Sequence, residues 1–130
     1  EKYNPVTLQR LLKGRDIPQS HYQTLLQQRK THIALFEQLM QKWDALLLPT
    51  VPITAIPVDD VVESANSFAP LTRSVNYLNG CAITLPVGLD RQGLPIGAQL
   101  VAAAHQESVL ATLAKKIEEI VPFVHHPDYL

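Results

Sequence analysis

Apolar residues recur with the period of an α-helix over a long stretch of the first third of the chain. They form one stripe of about six helical turns, whereas the opposite face carries Gln, Lys and Glu side chains. The members of the stripe are Tyr22, Leu25, Leu26, Ile33, Phe36, Leu39, Met40 and Trp43. The run Ser20-His21-Tyr22-Gln23 matches a capping box, so we predict a helix that begins at Ser20 and ends at Asp44. Such a helix covers a sheet or another helix with one side only.

Two shorter helices are marked by the residues at their ends. Asn4 is a good cap and Pro5 suits the first helical position, which together predict a helix over residues 5–13. The last helix is predicted over residues 106–121, because apolar residues recur there at helical spacing and Pro122 cannot continue a helix.

The stretch from Asn76 to Leu100 reads as the end of a helix followed by a β-hairpin. Residues 82–89 and 94–101 are predicted strands, and the connection Asp90-Arg91-Gln92-Gly93 has the length and the glycine that hairpin loops use. A short helix over residues 72–78, capped by Thr72, precedes them. We expect Asn79-Gly80 to end this helix in the left-handed conformation.

A third strand is predicted over residues 45–48, Ala-Leu-Leu-Leu, where no polar residue alternates with the apolar ones. This pattern is typical of a strand buried on both faces, and such a strand needs a neighbour on each side. Pro49, Pro52 and Pro57 then favour an irregular, extended path. The polar and acidic residues 58–67 are predicted to form a surface loop.

Composition narrows the classes of function. The 130 residues suit one domain or part of one, with 46% hydrophobic residues, 18% charged residues and a formal net charge of -1. There is no basic stripe for nucleic acid, and no apolar run approaches the ~20 residues of a membrane span. The single cysteine, Cys81, suits a reducing compartment, so we expect a cytoplasmic protein. Because the sequence begins at Glu1, we expect it to be a piece of a longer protein.

A search for reactive groups finds no self-contained active site. The five histidines lack the spacing of a metal site, so we predict no metal and no cofactor. The glycines form no phosphate-binding loop, and the serines lie in no nucleophile motif. Cys81 is predicted to be a buried structural thiol.

Six segments, taken in chain order, resemble the C-terminal part of amidase signature family hydrolases. The most specific are Ala-Ile-Thr-Leu-Pro-Val-Gly at residues 82–88 and Gly-Leu-Pro-Ile-Gly-Ala-Gln-Leu at residues 93–100. The other matching segments are residues 10–14, 22–29, 43–50 and 72–78. The resemblance therefore covers nearly the whole chain.

The resemblance implies an α/β fold in which a large mixed sheet is flanked by helices. Family members hydrolyse amides with a Ser, a second Ser in cis conformation and a Lys, which lie upstream of the matching segments. The expectation is thus that residues 1–130 are the C-terminal portion of a single amidase domain, hold no catalytic residue and are inactive alone. The amidotransferase branch often has an Asp where this chain has Phe68, Ala69 and Pro70, so a stand-alone amidase is favoured over an amidotransferase A-type subunit.

The residues predicted to contact substrate are Thr72, Arg73 and Asn76, which begin a helix after a loop and can face a cleft. Two of them have a simpler role open to them: Thr72 can cap the helix, and Asn76 can hydrogen-bond the backbone of a neighbouring loop. Arg10 falls where some family members place an arginine near the substrate, and it is equally well read as a solvated cation at a helix end. Gln99 is expected to satisfy buried backbone groups.

Two readings of function remain open from the sequence. In the first, the chain completes an amide hydrolase and binds a small-molecule amide together with the missing N-terminal part of the enzyme. In the second, it is a non-catalytic binding or assembly module derived from such an enzyme. Either way, an isolated chain should expose apolar surface, and either bind its missing half or self-associate as a homo-oligomer.

Overall fold

The computed structural model describes residues 3–61 and 68–124. Within these ranges the chain forms four α-helices, one short 3-10 helix and three β-strands. The elements are α1 Pro5–Leu12, α2 Gln19–Met40, β1 Leu46–Pro49, the 3-10 helix Val58–Asp60, α3 Pro70–Tyr77, β2 Cys81–Leu89, β3 Pro95–Ala102 and α4 Glu107–Ile120. Helices and sheet alternate along the chain, which confirms the predicted α/β class.

The three strands form one antiparallel sheet in the order β1-β3-β2, so the last strand in the sequence is the central one. β2 and β3 make the predicted hairpin, with a bulge between Pro86 and Gly88. Gly93 ends the connecting turn at φ +81°, a conformation that glycine adopts without strain. Because β3 is paired on both edges, its second half is the most buried part of the sheet.

Each face of the sheet packs against helices. On one face, α4 contributes Leu110 and Ala114, which pack against Leu85 of β2 and Leu100 of β3. Alternate residues of a strand point to opposite faces, so Val101 belongs to the other core. The residues of that second core are Phe36 and Met40 of α2, Val75 of α3 and Val101 of β3. The core of the domain therefore lies on both sides of β3.

The ends of α1 and of the hairpin confirm the sequence analysis, because local signals set them. The side chain of Asn4 caps α1 by accepting a hydrogen bond from the backbone amide of Val6 at 2.9 Å. Asn79 has φ 55°, the left-handed conformation predicted for this residue at the end of α3. Gly80 is needed for space instead, since a Cβ there would lie 2.9 Å from the carbonyl oxygen of Ala102.

Two helix starts differ from their prediction. α2 begins at Gln19, with Pro18 at the cap position in an extended conformation (φ -59°, ψ 144°), so Ser20 lies within the first turn and does not cap the helix. α3 begins at Pro70, a residue that suits the first helical position. The hydroxyl of Thr72 therefore does not cap the helix and donates to the carbonyl of Ala69 at 3.4 Å.

The prediction that the first strand is buried on both faces, with a neighbouring strand on each side, was wrong. Within the described residues β1 pairs with β3 alone, and the side chain of Leu47 is 64% exposed. Leu47 lies in the same cross-strand row as Leu100, on the face that α4 covers further along the sheet. The apolar run of β1 thus forms an edge whose outer side and one face are open. Most of the predicted loop at residues 58–67 lies outside the described residues, apart from the 3-10 turn.

Candidate functional site

The first turn of α3 is attached to the centre of the sheet by one buried side chain. Gln99 of β3 is 1% exposed, and its Nε2 donates to the carbonyl oxygens of Pro49 at 3.2 Å and Leu71 at 3.4 Å. These bonds join the end of β1, the middle of β3 and the start of α3. They confirm that Gln99 pairs with backbone carbonyl groups, and its own buried amide would be costly to leave unpaired.

The three predicted substrate-contacting residues lie together on α3. Asn76 is about one helical turn from both Thr72 and Arg73, so its side chain is a neighbour of each of theirs on the helix surface. Thr72 is half-buried, whereas Arg73 and Asn76 are exposed. Neither exposed side chain has a hydrogen-bond partner among the described residues, so the alternative role of Asn76 as a tie to loop backbone is not seen there.

A shallow polar strip lies beside this helix on the same face of the sheet as Gln99. Thr84 of β2 pairs with Gln99 across the ladder, and the hydroxyl of Thr50 donates to the hydroxyl of Thr84 at 3.4 Å. Gly97 leaves the room for this contact, because a Cβ there would lie 2.9 Å from Thr50 Oγ1. Exposed β2 residues on this side leave the sheet surface open next to α3.

A cluster that the sequence analysis missed holds the other end of α3. Arg29 of α2 donates from Nε to the carbonyl of Tyr77 at 2.8 Å, and from one terminal nitrogen to Asn79 Oδ1 at 2.6 Å. The same terminal nitrogen lies 3.4 Å from the carbonyl oxygen of Asn76. His32 Nδ1 and the Tyr77 hydroxyl share a hydrogen bond of 2.9 Å. Arg29 and His32 are three residues apart on α2, but nothing near them in the sequence points to partners so much further along the chain.

The turn of the hairpin is organised by Asp90. Its carboxylate accepts from the hydroxyl of Thr54 at 2.7 Å and from the backbone amides of Gln92 and Leu94 at 2.8 and 2.9 Å. These donors hold the pKa of Asp90 below its usual value, with the Thr54 hydroxyl the main cause and the Leu94 amide the next. The turn is therefore tied to the segment that follows β1.

Two clefts lie away from the residues predicted on α3. One, of about 370 Å³, opens where α2 ends near the connection from β3 to α4. Its lining residues are Glu37, Met40, Gln41, Lys42, Trp43, Asp44, Ala103 and Gln106. Arg10 lines a smaller cleft of about 150 Å³ with Val6, Gln9 and Lys13, at α1. The structure thus brings Thr72, Arg73 and Asn76 together on α3 and places Arg10 on α1.

The remaining candidate chemistry has structural explanations. Cys81 is half-buried, and its Sγ donates to the carbonyl of Ala103 at 3.1 Å. Across residues 3–61 and 68–124, no three His, Cys, Asp or Glu side chains gather as metal ligands. In the same ranges, none of the helices has the combination of length and apolar character that crossing a membrane requires.

Comparison with known proteins places the chain in a family. The family model described as Amidase matches residues 1–111, so the chain belongs to the amidase family. It is similar to the A-type subunit of glutamyl-tRNA(Gln) amidotransferase from Prochlorococcus marinus, with 36% identity over 65% of this chain and 18% of that protein. It is also similar to the fatty acid amide hydrolase of Arabidopsis thaliana, with 30% identity over 74% of this chain and 16% of that protein.

Solved structures agree on the fold. A crystal structure of an amidase superposes with a TM-score of 0.79 at 24% identity, covering 92% of this chain and 29% of the other. At that identity the likeness concerns the fold alone. The chain matches less than a fifth of the length of the two curated relatives, so it corresponds to a limited part of such proteins.

Proposed function

We propose that this chain is the C-terminal portion of an amidase domain that hydrolyses a carbon–nitrogen amide bond in the intact protein. The observation that carries the proposal is α3, which presents Thr72, Arg73 and Asn76 beside an open sheet surface in a chain of the amidase family. The catalytic Ser, second Ser and Lys would come from the upstream portion of the same enzyme.

The chain's part in the reaction would be to bind and orient the substrate. The hydroxyl of Thr72 and the carboxamide of Asn76 both donate and accept hydrogen bonds, and the guanidinium of Arg73 adds a fixed positive charge. Such groups suit the carbonyl and amide ends of a small-molecule amide. Because α3 is attached at both ends, these groups would be held in place before the substrate arrives, which lowers the entropic cost of binding.

The bond change would follow the usual order of nucleophilic acyl transfer. The upstream serine hydroxyl adds to the amide carbonyl and loses its proton to a base, and the C–N bond breaks as the amine or ammonia accepts a proton. Water then hydrolyses the acyl-enzyme ester and releases the carboxylic acid. No step needs a metal or a further cofactor, and no residue of this chain is assigned a part in the covalent steps.

The test compares two purified proteins with a panel of simple amides and follows the release of ammonia or amine. We expect turnover by the intact protein that carries this chain and no turnover by residues 1–130 alone. Turnover by the isolated residues would overturn the division of labour proposed here. Absence of turnover by the intact protein would overturn the amidase proposal itself.

Substitutions on α3 test the assignment of the substrate-contacting residues. Asn76→Ala and Arg73→Ala should each raise KM by about tenfold, because each removes a hydrogen-bonding group from the pocket. Lys116→Ala, on the exposed side of α4, serves as the control and should leave KM unchanged. Equal KM values for all three variants would show that this face of α3 does not contact the substrate.

A second candidate is an amidotransferase A-type subunit, which is favoured by the similarity to the Prochlorococcus protein of that name. It would release ammonia from glutamine for transfer to a second substrate. The residues Phe68, Ala69 and Pro70 stand where an Asp is expected for that activity, which supports the amidase instead. If the intact protein hydrolysed glutamine in preference to other amides, the amidotransferase subunit would be favoured over the amidase. A non-catalytic module would hydrolyse neither glutamine nor other amides.

We further propose that the intact enzyme works in the cytoplasm, where the half-buried thiol of Cys81 would remain reduced. Its upstream portion would cover the open edge of β1, including Leu47. Without that portion, the isolated chain would bury the same surface by forming a homo-oligomer. Fractionation of cells with an antibody against the chain, alongside a marker enzyme of the cytoplasm, tests the compartment.

A further inference from the structure

The orientation of α3 depends on contacts made by other elements. An isolated helix of eight residues is not stable in water, because its few internal hydrogen bonds do not offset the cost of nucleation. At its start, α3 is attached to the sheet through the amide of Gln99. The groups that fix its other end therefore decide how its exposed face is presented.

The last four carbonyl groups of any α-helix lack partners within the helix. In α3 three of them accept from backbone amides nearby: Leu78 donates to Ser74 and Gly80 to Val75, both at 2.9 Å, and Asn79 donates to Asn76 at 3.4 Å. The fourth carbonyl, that of Tyr77, accepts from Arg29 at 2.8 Å, and Arg29 adds a second donor to the carbonyl of Asn76 at 3.4 Å.

The geometry of a guanidinium group suits this position. Its N–H groups diverge in one plane, so Arg29 reaches two carbonyls and the side-chain oxygen of Asn79 at once. Its positive charge also lies at the negative end of the helix dipole, where a cation is stabilising. The guanidinium carbon lies 5.9 Å from the ring centroid of Tyr77, within the range of a cation–π contact.

We propose that Arg29 is a positioning residue for amide binding: by fixing the C-terminal end of α3 it sets the direction in which Asn76 and Arg73 face the substrate. This inference rests on the proposed function. The direct link is the bond from Arg29 to the backbone carbonyl of Asn76, one of the proposed substrate-contacting residues. Arg29 itself touches no substrate, because its guanidinium group is occupied by the hydrogen bonds to the end of the helix.

The test uses the intact protein that carries this chain and three variants. Arg29→Ala removes the guanidinium group and all of its hydrogen bonds to the end of α3. Asn79→Gly removes only the side-chain acceptor, since glycine adopts the φ of 55° without strain. Lys30→Ala, the adjacent exposed residue of α2, is the control. For each protein we measure kcat and KM for the amide that the unsubstituted protein hydrolyses, and hydrogen exchange of the backbone amides at residues 77–80.

We expect Arg29→Ala to raise KM by about tenfold while kcat changes less than about threefold. The substitution should weaken binding of the amide more than it slows the chemical step. Exchange at residues 77–80 should become faster in the same variant. Asn79→Gly should also raise KM and the exchange rate at residues 77–80, but by a smaller factor. Lys30→Ala should change neither KM nor the exchange rate. Guanidinium ion at millimolar concentration should restore part of the lost affinity of Arg29→Ala, which a variant with general loss of structure would not show.

The outcomes separate the two proposals. Normal turnover by the unsubstituted protein with unchanged KM in Arg29→Ala would overturn the role of Arg29 and leave the amidase proposal standing. If Arg29→Ala does not fold, Asn79→Gly decides, since unchanged KM in that variant would then overturn the role. Absence of turnover by the unsubstituted protein would overturn both.

Discussion

The side-chain amide of Gln99 donates a hydrogen bond of 3.4 Å to the backbone carbonyl of Leu71 and so joins the central strand to the first turn of α3. The same nitrogen also serves Pro49 at 3.2 Å, at the end of β1. One side chain therefore links the end of β1 to the first turn of α3, where the carbonyl of Leu71 also accepts from the hydroxyl of Ser74 at 3.0 Å.

Replacing Gln99 by Leu should destabilise the protein by about 2 kcal/mol, because side-chain volume is nearly kept while the two hydrogen bonds to Pro49 and Leu71 are lost. Urea unfolding of the intact protein measures the change. The matched control is Gln38→Leu on the exposed surface of α2, which should shift the free energy of unfolding by less than about 0.5 kcal/mol. Equal stability of the two variants would contradict the importance of these bonds.

Glycine at position 80 should tolerate no side chain. A Cβ there would lie 2.9 Å from the carbonyl oxygen of Ala102 and 3.4 Å from a ring carbon of Phe36. Since a backbone atom of the central strand cannot move aside cheaply, Gly80→Ala should cost about 2 kcal/mol. Gly88→Ala is the control, because nothing lies within 4 Å of a Cβ at that position. The prediction fails if thermal unfolding gives the two variants the same midpoint.

Stability should depend on the ionisation of Asp90 at acid pH. The Thr54 hydroxyl and the backbone amides of the turn lower the pKa of this carboxyl from its usual value of 3.8. A group whose pKa is lower in the folded state stabilises the protein above its unfolded pKa. That contribution is lost as pH falls below about 3.8 and through the folded value.

The measurement is the midpoint of thermal unfolding between neutral and strongly acid pH. The unsubstituted protein should lose stability more steeply in the acid range than Asp90→Ala, which lacks this carboxylate and is already less stable at neutral pH. Asp59→Ala, an exposed carboxylate outside the hairpin turn, should keep the steep dependence. Parallel curves for the unsubstituted protein and Asp90→Ala would show that the turn does not depend on this charge.

The open edge of β1 should make the isolated chain self-associate. Leu47 is 64% exposed on a strand whose outer side has no partner among the described residues, and such edges pair readily with other chains. Leu47→Lys should therefore lower the apparent mass of residues 1–130 in size-exclusion chromatography, since a charge on an edge strand opposes pairing. The control is Val58→Lys, which replaces a residue that is 86% exposed and lies outside the sheet. This variant should leave the apparent mass unchanged. A monomeric unsubstituted chain would contradict the prediction.

Local patterns were sufficient to predict the elements with strong end signals. The hairpin and α4 lie within one residue of their predicted bounds, because alternation, a turn of fixed length and helical spacing depend only on neighbouring residues. The capping box at Ser20 was wrong, since α2 begins one residue earlier at Gln19 and Pro18 occupies the cap position.

Features that depend on distant parts of the chain could not be predicted. An apolar run does not reveal whether both faces of β1 are covered, and within the described residues Leu47 is left open. Arg29 reads as one more polar residue on α2, and its partner Asn79 lies 50 residues further along. The family resemblance indicated α3 as the place to look for substrate contacts, but it gave no indication of what holds that helix.

The central position of β3 has a consequence for synthesis on the ribosome. β1 finds its partner strand only after about fifty more residues have been added, as the separation of Pro49 and Gln99 illustrates. At roughly 5–20 residues per second, the apolar edge of β1 lacks β3 for several seconds as the chain emerges. Translation speed between β1 and β3 therefore sets how long this part of the nascent chain must be kept from other nascent chains.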